Sequence, residues 1–136
     1  MVNRDMPKTS KYQSFIKKKP KLSLPALEVV ENAYPHRDYV VSFEIPEFTC
    51  VCPKTGLPDF AVIRIDYVPA KHLIELKALK YYINGFRNQG VFHESVANRI
   101  LDDLVAAARP KRVKLEADFS VRGGIHTVVR TNYKWK

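Results

Sequence analysis

Two cysteines and one aspartate lie close together in the stretch FTCVCPKTGLPDFA, residues 48–61. Cys50 and Cys52 are the only cysteines of the chain, and Asp59 follows Cys52 by seven residues. A thiolate is a strong nucleophile and a carboxylic acid can supply a proton, so Cys52 and Asp59 could perform nucleophilic attack followed by protonation. Lys54, in the turn between them, carries a positive charge that would favour the thiolate.

Two other interpretations of the cysteines stay open at this point. Free cysteines are often buried as small apolar side chains with no chemical role. A zinc site is the second alternative, but structural zinc sites prefer cysteines separated by at least two residues, and the histidines are scattered: His36, His72, His93 and His126. We therefore expect no metal site.

Two further stretches carry charged groups that could contact a ligand. ELKALKYY places Lys77 and Lys80 on one face of a predicted helix. GVFHES places His93 beside Glu94 just before the next predicted helix, where side chains can turn into a cleft. The lysine pair is also typical of a solvated charged face, and a single His-Glu dipeptide is weak evidence on its own, so neither stretch defines a site by itself.

A fourth stretch, RGGIH, could bind a phosphate. It joins the cation Arg122 to Gly123 and Gly124, whose backbone amides can approach an anion closely. The five glycines of the chain form neither a G-x-G-x-x-G nor a Walker motif. A dinucleotide would therefore bind here without a Rossmann crossover.

The hydrophobic periodicity predicts an α+β fold. Four strands are predicted. Residues 39–45 and 113–119 alternate with a period of two, residues 60–68 are rich in β-branched and aromatic residues, and residues 125–133 have Thr127, Val129 and Thr131 on one face. Two helices are predicted between the second and third strands, over residues 76–84 and 96–108, the first ended by Gly85 and the second by Pro110. The order ββααββ predicts a four-stranded antiparallel sheet with both helices on one face. Its two open edges favour pairing between subunits.

The length of the chain indicates how many domains it forms, and its net charge indicates which kinds of partner it would attract. The chain has 136 residues, enough for one domain, and a formal net charge of +9, which favours nucleic acid, acidic membranes or phosphorylated small molecules. It has no early apolar run and no apolar stretch of roughly 18 residues, so we expect neither a signal peptide nor a membrane span. Free thiols favour a cytoplasmic location.

The first part of the chain differs in composition from the rest. Residues 1–38 are polar, contain four prolines and carry the lysine-rich run 17–21, so they are predicted to form an arm with little regular structure. The run could contact nucleic acid or be a solvated charged segment. Residues 39–136 are predicted to form the folded domain.

Taken together, four stretches resemble the NADPH-dependent 7-cyano-7-deazaguanine reductases of queuosine biosynthesis, in their short, single-domain form. They are FTCVCPKTGLPDFA, ELKALKYY, FRNQGVFHE and RGGI, in that order along the chain. The resemblance implies a tunnelling fold, related to GTP cyclohydrolase I, in which subunits close a barrel and active sites lie between chains. A homo-oligomer of two stacked pentamers is expected.

The resemblance also implies a reaction and the residues that perform it. A deazaguanine nitrile would be reduced to an amine by two molecules of NADPH, through a covalent cysteine thioimide. The nucleophile maps to Cys52 and the proton donor to Asp59, while Cys50 has no catalytic role. Substrate contacts map to Ile74, Glu75, Leu76, His93 and Glu94. Contacts with NADPH map to Leu76, Lys77, Arg122 and Gly123.

Two other functions compete with this one. A zinc-dependent cyclohydrolase on the same fold would need a set of Cys and His ligands that the sequence lacks. An RNA-binding module would use the basic arm and no active site. The implied reductase needs neither a membrane nor a direct nucleic-acid partner.

Overall fold

The computed structural model describes residues 21–134; residues 1–20, with most of the lysine-rich run, and residues 135–136 lie outside the described part. The elements are β1 (Val29–Glu31), β2 (Val41–Val51), β3 (Pro58–Val68), β4 (His72–Ile74), α1 (Leu76–Asn84), α2 (His93–Ala108), β5 (Arg112–Phe119) and β6 (Val128–Lys134). The α+β class is confirmed. The ββααββ order was incomplete, because β1 and β4 are three-residue strands too short for an alternating pattern to reveal.

The main sheet has the strand order β2-β3-β5-β6, and every neighbouring pair is antiparallel. Ile45 pairs with Ile63, Ile63 with Ala117, and Ala117 with Val129, so one row of apolar side chains crosses all four strands. The register shifts between Ile45 and Phe48. Pro46 lies at this shift, on an edge strand, where its missing N–H removes no bond from the sheet interior.

Both helices cover the same face of the sheet. Leu79 and Tyr82 of α1 lie in one buried cluster with Ile100 and Leu104 of α2 and with the inward side chains of β2, β3 and β5. Three aromatic rings join these layers: the centroid of Phe48 lies 5.4 Å from that of Phe86 and 6.4 Å from that of Phe119. The prediction that both helices pack on one face is therefore confirmed.

The opposite face of the sheet is charged. Arg64 Nε lies 3.3 Å from Glu44, its Nη1 lies 3.2 Å from Glu116, and Arg130 lies 3.0 Å from Glu116. These pairs connect all four strands on a solvated surface, where each contributes little to stability. No helix in residues 21–134 is long and apolar enough to cross a membrane.

The segment before β2 packs on its own chain from residue 22 onward. Leu24 and Pro25 lie against Gly85, where an added Cβ would come within 2.8 Å of Pro25 Cδ and 3.1 Å of Leu24 Cδ2. Gly85 ends α1 as predicted, with φ −62°. Close packing, and not a left-handed conformation, is what requires glycine there. The domain boundary after residue 38 stays a prediction.

Helix α2 begins at His93, three residues before the predicted start. Phe92 occupies the N-cap position without a side-chain cap, so the usual N-cap signal is missing, and Glu94 in the first turn is the one start signal present. His93 and Glu94 therefore belong to the first helical turn and do not precede the helix. Strand β6 likewise begins at Val128 and not at residue 125, because Arg122 and Ile125 exchange two backbone hydrogen bonds of 3.0 and 2.9 Å in a turn.

Candidate active site

The turn between β2 and β3 positions Cys52 and Asp59. The Cys52 N–H donates to the Leu57 carbonyl at 2.8 Å, and the Gly56 N–H donates to the Cys52 carbonyl at 3.0 Å. Gly56 has φ 71°, a left-handed conformation in which glycine is favoured. The turn reverses the chain so that Asp59 pairs with Cys50 across the hairpin. Cys52 follows the last strand residue and is partly exposed.

A second connection brings the start of α2 to this turn. The Val51 N–H donates to the Gln89 carbonyl at 3.0 Å, and the Val91 N–H donates to the Val51 carbonyl at 3.1 Å. These bonds join the end of β2 to the segment that leads into α2. As a result His93 Nε2 lies 3.2 Å from Asp59 Oδ2.

The ring of His93 is held in place by Phe119. The two rings are parallel within 7°, with centroids 3.7 Å apart. Phe119 is fully buried at the end of β5. Its side chain therefore sets the plane in which His93 approaches Asp59. The sequence shows Phe119 only as a core residue of a strand, so no local signal pointed to this contact.

Arg122 approaches Asp59 from the other side. Its Nε lies 3.5 Å from Asp59 Oδ1, and its Nη2 donates to the Pro58 carbonyl. The guanidinium also lies 5.9 Å from the centre of the Phe60 ring. Each oxygen of the buried Asp59 carboxylate thus faces a different nitrogen group, His93 on one side and Arg122 on the other.

These residues surround one pocket of about 410 Å³. Five of the residues predicted as site residues line it: Cys52, Asp59, His93, Glu94 and Arg122. Thr55 and Phe92 line it as well and were not singled out from the sequence. Thr55 could have been found in the turn sequence CPKTG, because it is the one hydroxyl residue of that sequence. The pocket can hold a small planar ligand between a thiol and a carboxyl group.

The two cysteines lie in different surroundings. Burial, together with the nearby Asp59 carboxylate, raises the pKa of Cys50 to about 12, and the side chain is part of the core. Hydrogen bonds from the Thr55 side chain and from backbone N–H groups of the turn lower the pKa of Cys52. The interpretation as a small apolar core residue therefore fits Cys50 and does not fit Cys52. The lowered pKa of Cys52 is caused mainly by these hydrogen bonds. The sequence had instead predicted that the positive charge of Lys54 would stabilise the thiolate.

The remaining predicted site residues lie elsewhere in the chain. Leu76 and Lys77 line a second pocket of about 720 Å³ between β2 and α1, and the two pockets share no lining residue. Glu75 also lines the second pocket, and its carboxylate caps α1 by accepting from the N–H groups of Lys77 at 3.0 Å and Ala78 at 2.6 Å. Ile74 is buried beside it. One chain alone does not bring these residues to Cys52.

The turn after β5 has an open backbone. Gly123 and Gly124 have φ values of 56° and 77°, and a Cβ added at either would meet no atom within 4 Å. Both positions have the left-handed conformation that glycine adopts without strain, which is why the turn has glycine at each of them. The open space around them leaves room for a ligand to approach the backbone amides. Within the described part of the chain, no three His, Cys, Asp or Glu side chains are grouped so that they could hold a metal ion.

Comparisons with known proteins agree with this architecture. A family model described as QueF-like protein matches residues 58–136. The crystal structure of the archaeosine synthase QueF-Like in the apo form aligns with a TM-score of 0.64 at 22% identity, covering 68% of this chain and 91% of that one. At this identity the likeness concerns the fold alone.

Curated relatives define the family more closely. Proteins named NADPH-dependent 7-cyano-7-deazaguanine reductase are 54% identical over 108 residues in Nitrosococcus oceani and 55% identical over 107 residues in Halorhodospira halophila. Each match covers 79% of this chain, and 84% and 91% of the respective relatives. Fold and sequence thus define an α+β protein of the QueF-like class. The chain belongs to the family of NADPH-dependent 7-cyano-7-deazaguanine reductases, and the resemblance found in the sequence is confirmed.

Proposed function

We propose that this chain reduces the nitrile of 7-cyano-7-deazaguanine to 7-aminomethyl-7-deazaguanine with two molecules of NADPH, through a thioimide on Cys52. Membership of the reductase family supports the substrate and the cofactor. The observation that carries the mechanism is the pocket of about 410 Å³, which is lined by both the Cys52 thiol and the Asp59 carboxyl group. Hydrogen bonds lower the pKa of that thiol.

The first step is addition of the Cys52 thiolate to the nitrile carbon. The sulfur forms a bond to carbon while one C–N π bond breaks, and its electron pair moves to nitrogen. Asp59 donates a proton to that nitrogen, which gives a neutral thioimide. His93, 3.2 Å from Asp59, is placed to return a proton to the carboxylate.

NADPH, when bound, supplies a hydride to carbon in each of two reductions. The chain has groups that fit it: Arg122 and Lys77 are cations for its phosphates, and the open backbone of Gly123 can approach a phosphate oxygen. After the first reduction the Cys52 thiolate leaves and an imine remains. Asp59 and His93 are positioned to supply the protons that complete the amine.

Glu94 is proposed to recognise the base. It lines the Cys52 pocket from the first turn of α2 and is exposed to it. A deazaguanine presents a ring N–H and an exocyclic amine side by side, and a carboxylate has two oxygens that accept from both. A base held by Glu94 would lie in the same pocket as Cys52, so that its nitrile could point toward the thiol.

The complete site is proposed to form between subunits. The residues of the second pocket, Glu75, Leu76 and Lys77, are separated from Cys52 within one chain. Strands β2 and β6 are the two edges of the main sheet. Edge pairing between copies would close a barrel of two stacked pentamers and could bring the second pocket of one chain to the Cys52 pocket of the next.

The direct test is NADPH oxidation in the presence of 7-cyano-7-deazaguanine, with the product identified by mass spectrometry. We expect two NADPH to be consumed for each aminomethyl product, and no consumption without the nitrile. A protein that folds and oxidises no NADPH with this nitrile would contradict the proposed activity. A ratio of one would contradict the second reduction.

A further inference from the structure

Thr55 is an exposed residue of the turn that carries Cys52, and its hydroxyl has a defined direction. Thr55 Oγ1 accepts a hydrogen bond of 3.2 Å from the Leu57 N–H. Because a hydroxyl has a single proton, that proton is left to donate elsewhere. Thr55 follows Cys52 by three residues in the same turn, and both residues line the same pocket. Hydrogen bonding from the Thr55 side chain is the largest cause that lowers the pKa of Cys52.

The backbone of the turn is arranged around the same sulfur. The bond from the Gly56 N–H to the Cys52 carbonyl, 3.0 Å long, closes the turn over Lys54 and Thr55. Hydrogen bonding from the backbone N–H groups of both residues lowers the pKa of Cys52 as well. Successive N–H groups that converge in this way form a concavity that favours an anion.

The other charged groups around the pocket are not arranged to stabilise a Cys52 thiolate, because they either contact another group or are themselves acidic. The groups that face it are Asp59 from β3, His93 and Glu94 from α2, and Arg122 from the turn after β5. His93 and Arg122 both contact the Asp59 carboxylate, at 3.2 and 3.5 Å. Neither carboxyl group, of Asp59 or of Glu94, can favour a thiolate, because an ionised carboxylate repels it and a protonated one carries no positive charge. The donors of the turn are therefore the groups arranged to stabilise it.

We propose that Thr55 is a positioning residue for Cys52: its hydroxyl donates a hydrogen bond to the thiolate and holds the charged sulfur at the pocket, facing Asp59. The inference rests on the proposed role of Cys52 as nucleophile and adds the group that keeps it ready for attack. A thiolate is a better acceptor than a thiol, so this bond favours the reactive form.

The test compares Thr55→Val, which removes the hydroxyl and keeps the shape, with Thr55→Ser, which keeps the hydroxyl. The rate of Cys52 alkylation by iodoacetamide is followed by peptide mass spectrometry from about pH 5 to about pH 10, where an ordinary thiol ionises. We expect the midpoint in Thr55→Val to rise by about one pH unit, as loss of a hydrogen bond to a charged group predicts, and the midpoint in Thr55→Ser to stay near that of the wild type.

Three results would overturn the proposal. In the first, the pH midpoint of alkylation in Thr55→Val is the same as in the wild type. In the second, alkylation of Thr55→Val slows equally at every pH, which would mean that Thr55 only stabilises the turn through its bond to Leu57. In the third, the midpoint of Thr55→Ser rises as far as that of Thr55→Val. A thermal melt checks folding, and Thr55→Ala provides a second variant without the hydroxyl. Alkylation requires neither nitrile nor NADPH, so failure of the proposed reductase activity would leave this result readable on its own.

Discussion

At the scale of the residue, reactivity is decided by the surroundings of each thiol. Cys50 and Cys52 are two positions apart, but Cys50 lies in the core, where burial raises its pKa to about 12, while the turn lowers the pKa of Cys52. Of the two thiols, Cys52 is therefore the one that forms the reactive thiolate more readily. In the proposed mechanism the neighbouring carboxyl group of Asp59 supplies the proton.

Asp59→Asn should lose most of the activity and remain folded. Asparagine has almost the same shape, but it cannot donate a proton as an acid, and general acid catalysis contributes roughly 100- to 10,000-fold to rate. Steady-state kinetics and a thermal melt measure both effects. Asp66→Asn, an exposed aspartate of the same strand, is the control and should keep the wild-type rate. Activity of Asp59→Asn within a few-fold of the control would mean that another group donates the proton.

Glu94→Gln should bind 7-cyano-7-deazaguanine at least about tenfold more weakly, because one of two acceptors for the base becomes a donor. Calorimetric titration of the ligand measures the affinity. If Glu94 only stabilises the positive end of α2, where a negative charge is favoured by roughly 0.3–1 kcal/mol, the variant would melt earlier and bind normally. Asp102→Asn, an exposed change later in the same helix, is the matched control.

At the scale of the element, three chain segments meet at Gln89. Its Nε2 donates to the carbonyls of Ser23 and Gly85, both at 2.7 Å, and its Oε1 accepts from the Ser23 N–H at 2.9 Å. Its own carbonyl accepts from Val51 at the end of β2. Gln89 thus connects the N-terminal segment, the end of α1 and the strand that leads to Cys52.

Gln89→Ala should lower the free energy of unfolding by about 1–2 kcal/mol, since the side-chain hydrogen bonds are lost and two carbonyls lose their donor. Urea unfolding followed by circular dichroism, at one fixed protein concentration, gives the value. Asn88→Ala changes the exposed neighbour and serves as the control. Equal unfolding of the two variants would show that Gln89 does not join these segments.

Local patterns predicted the elements better than the contacts between them. Helix α1 has its predicted bounds, because an apolar face and Gly85 mark it clearly. The start of α2 was missed, since Phe92 is not a typical N-cap residue. The approach of Arg122 to Asp59 joins residues 63 positions apart through the sheet, and no local pattern encodes it. The proximity of Cys52 and Asp59 was predictable, because one short turn creates it.

At the scale of the whole molecule, one chain contains two separate pockets and two open sheet edges. Predicted substrate and cofactor residues are divided between the pockets, which supports a site completed by a neighbouring subunit. Light scattering at micromolar concentration should therefore give the mass of a cyclic oligomer, with ten chains for two stacked pentamers. A monomer mass in an active preparation would contradict both the barrel and the shared site.

The central claim is that Cys52 forms a covalent bond to the nitrile carbon. Intact-protein mass spectrometry after incubation with 7-cyano-7-deazaguanine, without NADPH, tests it directly because the thioimide cannot be reduced and accumulates. We expect one adduct per chain in the wild type and in Cys50→Ala, and none in Cys52→Ala. An adduct that persists in Cys52→Ala, or one that disappears in a folded Cys50→Ala variant, would contradict the assignment of the nucleophile.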